Sequence, residues 1–306
     1  MIIAFALVTL GIAIGISPYV SEWLKTPVRA RQEDNHGGEL AKLPLGNTFY
    51  RWAGPEEGRK VVCVHGLTTP SSVYDGLIDR LAENGFRVLS YDLYGRGYSD
   101  RPHGLQTPEF FSNQLNDLLC NQGITEKIII IGNSLGSAIS ADFTARYPDR
   151  IAKLVLLVPA GMGHKAGAVA PFWHRVPGLG RWTMQMAYPR LLKQGIAAER
   201  HLPATVANIY DRQIAELSYR GFLRSVFSSI RGTLGGTLVN QHQSIAQSAI
   251  PTIAIWGEDD SVIPLNCKDK LSQWNPGATQ IVLKNAGHGL VYTHTDTLIE
   301  KLLSRL

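Results

Sequence analysis

Cysteine is scarce in this 306-residue chain: Cys63, Cys120 and Cys267 are all it has. Three thiols cannot all pair, and none sits in a C-x-x-C or a mixed Cys/His cluster, which excludes a disulfide-stapled scaffold and the usual zinc spacings. Cys63, inside the apolar run KVVCVH, reads as a small core residue. Charge is thin as well. Only 18% of residues are charged against 44% apolar, the balance of a globular chain and not of a disordered one. No internal repeat, low-complexity tract or nucleic-acid-reading motif is present. His36, His103, His164, His174, His201, His242 and His294 show no H-x-x-x-H or comparable spacing, so no metal site is expected. The net charge of +5 is unevenly placed. Residues 161–245 carry ten Lys/Arg against three Asp/Glu, a net +7, which leaves −2 for the rest. A basic block in a nearly neutral protein implies a local surface role and excludes wholesale nucleic-acid binding.

The first charged side chain is Glu22. Before it, MIIAFALVTLGIAIGISPYV is apolar on every helical face. As a helix, residues 2–20 would be about 28 Å long, close to the roughly 30 Å of a bilayer's hydrocarbon core. The rival reading is a cleaved signal segment, which leaves the body secreted or periplasmic. That reading wants a basic n-region and a small-x-small cleavage site, and neither is evident. An uncleaved single-pass anchor over residues 1–24 is therefore expected. Lys25, Arg29 and Arg31 follow it, which by the positive-inside tendency puts the body on the cytoplasmic side. Residues 25–40 read as a polar linker at the membrane surface.

Past the linker, strand-like and helix-like runs alternate. NTFYRWAG, KVVCVHG, FRVLSYD, EKIIIIGNS, IAKLVLLVPA, IPTIAIWGEDD and TQIVLKNAGH read as seven strands. Val73–Glu83, Pro108–Asn121, Leu135–Tyr147, Leu265–Trp274 and Tyr292–Leu303 read as helices. Several strands are apolar on both faces, as a parallel sheet covered on both sides requires. The fold class is thus α/β, a mostly parallel open sheet flanked by helices. The alternation breaks over residues 161–247, a helix-like stretch rich in Trp, Met, Phe and Tyr and far too long for a connecting loop. It reads as a helical cap inserted between core segments 41–160 and 248–306.

One strand end is unusual. IIIIGNSLGS runs four isoleucines straight into a serine held between glycines. In an open parallel sheet, reactive groups sit past the carboxyl ends of strands. Ser134 lies at such an end in a G-x-S-x-G, where a sharp strand-to-helix turn leaves no room for side chains at positions 132 and 136. The helix that follows aims N–H groups toward it. A plain glycine-rich turn would look the same, but a serine nucleophile also needs a base and an orienting acid. NAGHG puts His288 after the last strand, WGEDDSVIP puts acids after the one before it, and VCVHGL puts His65-Gly66-Leu67 after the second strand.

His65-Gly66, SYDLYGRGYSDRP, GNSLG, WGEDDSVIP and NAGH together resemble the α/β-hydrolase superfamily over about residues 41–306. The likeness is to its capped serine esterases and lipases of the monoacylglycerol lipase type. The resemblance implies Ser134 as nucleophile, His288 as base and Asp260 as acid, the last by the register of G-x-x-D-x-x-x-P with Asp259 as competitor. It also implies the backbone N–H groups of Leu67 and Leu135 as the oxyanion hole, with no cofactor or metal. His65 and Asp92 are expected to be structural, Asp92 holding the Tyr94–Ser99 turn. Thr293 stands where many members carry an acid. The implied chemistry is acyl transfer to water, and the membrane segment and basic cap suggest a lipid ester such as a monoacylglycerol or lysophospholipid. A carbon–carbon bond hydrolase, a cofactor-free haloperoxidase and a binding protein with a slow triad stay open, because all can keep Ser-His-Asp. Aspartate-nucleophile relatives are excluded by Ser134.

Overall fold

The computed structural model describes residues 1–33, 37–163 and 176–306. Part of the expected linker (34–36) and of the expected cap (164–175), with His36, His164 and His174, lies outside the described residues.

Eight strands form one sheet in the order β1-β2-β4-β3-β5-β6-β7-β8. They are β1 Glu39–Leu43, β2 Gly46–Ala53, β3 Arg59–Val64, β4 Phe86–Tyr91, β5 Ile128–Asn133, β6 Ile151–Leu157, β7 Thr252–Gly257 and β8 Thr279–Leu283. β1 and β2 pair antiparallel, as do β2 and β4, and every other pairing is parallel. The helices are α1 Ile2–Trp23, α2 Val28–Gln32, α3 Asp75–Glu83, α4 Pro108–Asn121, α5 Leu135–Arg146, α6 Pro177–Glu199, α7 Ile209–Ala215, α8 Phe222–Arg231, α9 Val239–Gln247, α10 Cys267–Trp274, α11 Leu290–Thr293 and α12 Thr295–Leu303.

The period-2 alternation of strand side chains divides the core in two. Val62, Val64, Ile128, Ile130, Leu154 and Leu156 point to one face, where α4, α5, α9 and α10 cover them. Val61, Cys63, Ile129, Ile131, Val155 and Leu157 point to the other, under α3 and α12. Both faces are dry, so the runs have no polar alternation to give up. Each fully buried Val, Leu or Ile stabilises the fold by about 1.5–3 kcal/mol before the entropy of ordering it is set against that. A third, smaller apolar cluster joins Met184 of α6 to Phe222, Val226 and Phe227 of α8.

Two features differ from the sequence reading. Glu39–Leu43 is an edge strand, hairpinned to β2 with Leu43 opposite Gly46. It overlaps the expected linker because only Ala41 and Leu43 are buried, too few for a visible alternation. The second is α9, inside the stretch read as cap. It packs against α5 and α10 with His242 and Ile245 buried, as a helix of the sheet's own covering layer.

α1 is 22 residues long with a mean hydropathy of 2.1 over its most apolar window, long and apolar enough to cross a membrane. Only Pro18 and Glu22 along it are buried. The residues that follow are not a free tether. Thr26 N–H donates to Ser218 O (3.1 Å), Arg220 N–H donates to Thr26 O (2.9 Å), and Gly221 N–H donates to the Glu22 carboxylate (2.6 Å). Arg31 pairs with the fully buried Glu216, whose other oxygen accepts Gly97 N–H at 3.0 Å.

Candidate active site

β3 is the point where the strand order reverses. The chain moves from β3 to β4 on one side and returns to β5 on the other. The carboxyl ends of β3 and β5 therefore flank a crevice between divergent connections, and the loops carrying Leu67 and Ser134 start there.

Ser134 has φ 54° and ψ −114°, a conformation that L-residues avoid and that costs of order 1–3 kcal/mol. Its backbone is held in place. Ser134 N–H donates to Leu157 O (2.9 Å), and Ser134 O accepts from Ser137 N–H (3.0 Å) and Ala160 N–H (3.2 Å). Glycine at 132 and 136 follows from the closeness of this turn. A Cβ on Gly132 would lie 2.4 Å from Gly136 O, and one on Gly136 would lie 1.9 Å from Val64 O.

The turn presents Ser134 Oγ to His288. His288 Nε2 lies 2.9 Å from Oγ, and His288 Nδ1 lies 2.8 Å from Asp260 Oδ2. The other carboxylate oxygen of Asp260 accepts two backbone N–H groups, from Val262 and Ile263, each at 2.8 Å. The Asp260 side chain is 1% exposed and that of His288 22%, so the acid is enclosed and the imidazole reaches the surface of the crevice. Asp259 is exposed, and its backbone N–H donates to Ala286 O, the one hydrogen bond it makes among the described residues. The structure therefore brings Ser134, His288 and Asp260 into one hydrogen-bonded line and leaves Asp259 out. With the carboxylate accepting from Nδ1–H, Nε2 is free to accept the serine proton, the arrangement that activates a hydroxyl.

Leu135 is the first residue of α5, where an N–H has no intrahelical acceptor. The loop carrying Leu67 abuts the serine, since a Cβ on Gly66 would come 3.5 Å from Ser134 Cβ. His65 is fully buried. Its Nε2 accepts Leu93 N–H at 2.9 Å, which makes Nδ1 the donor to Gly66 O at 2.8 Å. Burial pushes its pKa down to about 3, so it is a neutral brace of the loop. Asp92 accepts Ser71 N–H (2.8 Å) and Tyr98 N–H (2.9 Å), holding the turn after β4.

Two residues escaped the sequence reading. Arg96 is fully buried and, among the described residues, has no carboxylate partner. Its Nε donates to Leu67 O (2.9 Å), and its other nitrogens donate to Tyr94 O, to Gln106 Oε1 (2.6 Å) and to Ser229 Oγ of α8 (2.8 Å). It ties the Leu67 loop to the helices beyond. Burial pulls its pKa down to about 9, which leaves it charged at neutral pH. Its signal was a Gly-Arg-Gly in a loop, visible but mute about partners. Val158, a β-branched residue at φ 41°, follows the strand end whose carbonyl anchors Ser134, and nothing in its local sequence announces that conformation. Among the described residues no group of three or more His, Cys, Asp or Glu could hold a metal ion.

A family model described as the alpha/beta hydrolase fold matches residues 60–295. The chain is 27% identical over 239 residues to a 2-hydroxy-6-oxo-2,4-heptadienoate hydrolase of Pseudomonas putida, covering 76% of this chain and 83% of that protein. Among solved structures it superposes on an enol-lactonase from Burkholderia xenovorans with a TM-score of 0.71 at 20% identity, covering 87% of this chain and 98% of the other. A thermophilic esterase from Thermogutta terrifontis gives 0.72 at 19%, covering 88% and 97%. At these identities the two structures speak for the fold alone.

Proposed function

The chain belongs to the alpha/beta hydrolase fold family, and we propose that within it the protein is a serine hydrolase cleaving carboxylic esters, with acyl lipids as its substrates. The observation that carries this reading is the continuous line Ser134 Oγ–His288–Asp260, at 2.9 and 2.8 Å. Ser134 Oγ attacks the ester carbonyl carbon while His288 Nε2 takes its proton. Asp260 holds the imidazole and stabilises the imidazolium. The N–H groups of Leu67 and Leu135 receive the carbonyl oxygen as it becomes an oxyanion, each donor worth about 3 kcal/mol in the transition state. His288 then returns the proton to the departing alcohol, leaving an ester on Ser134. A water deprotonated by His288 hydrolyses that ester, releasing the acid and restoring the serine.

The lipid part of the reading draws on different features. α1 carries no charged side chain before Glu22 and is long and apolar enough to cross a membrane, and Trp182 of α6 donates its indole N–H to Gly15 O inside that helix at 3.0 Å. Leu179, Met186 and Leu191 of α6 are exposed. An anchored enzyme whose cap helix touches the anchor is placed to take acyl chains from a bilayer, and this reading makes the chain a single-pass membrane protein. The second reading, a carbon–carbon bond hydrolase, is favoured by the likeness to the Pseudomonas putida enzyme.

A fluorophosphonate probe tests the nucleophile: wild type is labelled and Ser134→Ala is not. Equal resistance of both would remove Ser134 from that role. Acetyl, butyryl and long-chain esters, compared with and without vesicles, test the substrate class. Preference for short soluble esters and indifference to vesicles would defeat the lipid reading. Faster turnover of 2-hydroxy-6-oxo-2,4-heptadienoate than of any ester would establish the second.

A further inference from the structure

A cavity of about 460 Å³ lies where α1, α6, α8 and the 102–106 loop meet, and it contains none of Ser134, Asp260, His288 or Leu67. Its polar lining is dominated by three arginines, Arg181 of α6 and Arg224 and Arg231 of α8, with His103 and Tyr19 beside them. No aspartate or glutamate lines it. Among the described residues none of the three arginines makes an ion pair. Arg181 stacks over the Tyr19 ring at 5.5 Å, and among the described residues its Nε has no hydrogen-bond partner. Arg231 lies over the Phe227 ring at 5.7 Å. Arg224 reaches His103 (2.9 Å to Nε2) and Arg101 O (2.6 Å), neither of which neutralises it. Burial and the charge of Arg181 both hold Arg224 below its ordinary pKa. The acid that offsets them, Glu22, is already engaged by Lys25 and by Gly221 N–H. Three guanidinium groups thus converge on one hollow with no carboxylate in its lining, and their planar forks match phosphate oxygens.

The surroundings indicate where that anion comes from. Tyr19 lies four residues before Trp23, about 6 Å along the helix, the belt in which tyrosine and tryptophan mark the edge of a bilayer. Trp182 meets Gly15 one turn deeper. Leu179, 54% exposed, adjoins Gly178 of the cavity wall. The hollow thus sits at headgroup height with apolar surface below it.

We propose that this cavity binds the phosphate of an anionic membrane lipid. The shared chemistry is a phosphate anion, and the bilayer is its source. The inference rests on reading α1 as the membrane anchor and is independent of hydrolysis.

The test uses full-length Ser134→Ala protein in uncharged maltoside micelles, so that no lipid is turned over. Phosphatidylglycerol, phosphatidylcholine and inorganic phosphate are titrated separately. The readouts are the thermal midpoint and lipid retained in native mass spectrometry. Phosphatidylglycerol is expected to raise the midpoint saturably and to be retained, phosphatidylcholine to do neither, and inorganic phosphate to act only at far higher concentration. Arg181→Gln and Arg231→Gln should each weaken the apparent affinity about 5-fold, with midpoints unchanged in the absence of lipid. Equal responses to both lipids, or variants that bind as wild type does, would overturn the site. Inorganic phosphate acting at the same concentration as the lipid would overturn the membrane source. Failure of the protein to enter phosphatidylcholine vesicles would remove the anchor and this inference together. Fluorophosphonate labelling of the Ser134 enzyme reports on the hydrolase reading separately.

Discussion

His242 should make this protein acid-labile. It lies on the inner side of α9, 1% exposed, with its ring 6.1 Å from that of Trp274. Among the described residues its Nδ1 finds no hydrogen-bond partner. Burial lowers its pKa from 6.5 to about 4. Between those values the unfolded chain binds a proton that the folded chain refuses, so stability falls as pH falls from about 6.5 toward 4. At about 1.4 kcal/mol for each pH unit, His242 removes roughly 3 kcal/mol across that window. His65 acts in the same direction down to about 3, but it cannot be replaced cleanly, because its Nε2 holds Leu93 N–H. His242→Leu fills similar space with apolar atoms and deletes the titration. The assay is denaturant unfolding followed by far-UV circular dichroism in an uncharged detergent, for both proteins at pH 7 and pH 4.5. Wild type should lose about 2.5 kcal/mol more than the variant on acidification. Losses that agree within about half a kcal/mol would refute the reasoning, because the folded protein would then be accepting the proton at that site.

Two further outcomes are expected. Asp260→Asn puts an amide where Nδ1–H needs an acceptor, so kcat for ester hydrolysis should fall on the order of 10⁴-fold with KM and thermal midpoint nearly unchanged; a fall below tenfold would mean another group orients His288. Arg96→Met leaves Leu67 O without its buried donor and should cost about 1–3 kcal/mol of stability. Because the loss falls on the loop proposed to supply an oxyanion donor at Leu67, kcat should drop more than KM rises, with Arg96→Lys partly restoring it, and a change confined to stability would reduce Arg96 to packing.

What could be read in the sequence depended on the range over which each residue acts. The isoleucines of β5 announce burial on both faces because every residue of such a strand meets a covering helix, a fact that needs no knowledge of partners. Pro108–Asn121 could be bounded because Thr107 accepts Phe110 N–H as an N-cap and Pro108 opens the helix, both local signals. Ser134, Asp260 and His288 could be put on one side of the sheet because each follows the carboxyl end of a parallel strand. Arg96 could not, since beyond the local Tyr94 its acceptors are Leu67, Gln106 and Ser229, two other loop positions and a helix that only the fold brings to it. α9 could not be assigned to the sheet's covering layer for the same reason: its two buried side chains, His242 and Ile245, look the same whether the surface they meet is α5 or another cap helix.

The stretch after α1 makes the same point with consequences for orientation. Lys25, Arg29 and Arg31 look in the sequence like the flanking charges that orient an anchor, but Arg31 is spent inside the protein. It pairs with Glu216 and lies over the rings of Tyr98 and Tyr219 at 4.4 and 4.1 Å. Glu216 is fully buried, and removing its partner would leave a carboxylate without compensation, a change that typically costs 3–5 kcal/mol. The same carboxylate holds Gly97 N–H, and Asp92 holds the next residue of that turn. Gln32 adds a hydrogen bond to Tyr98 O at 2.7 Å. A flexible tether would let the body tumble over the surface of a membrane. These contacts instead fix residues 22–32 to the helices over the site and to the turn after β4, so an anchored α1 would set the direction in which the crevice opens. Arg31 therefore belongs with the packing of the body, whatever surface α1 meets.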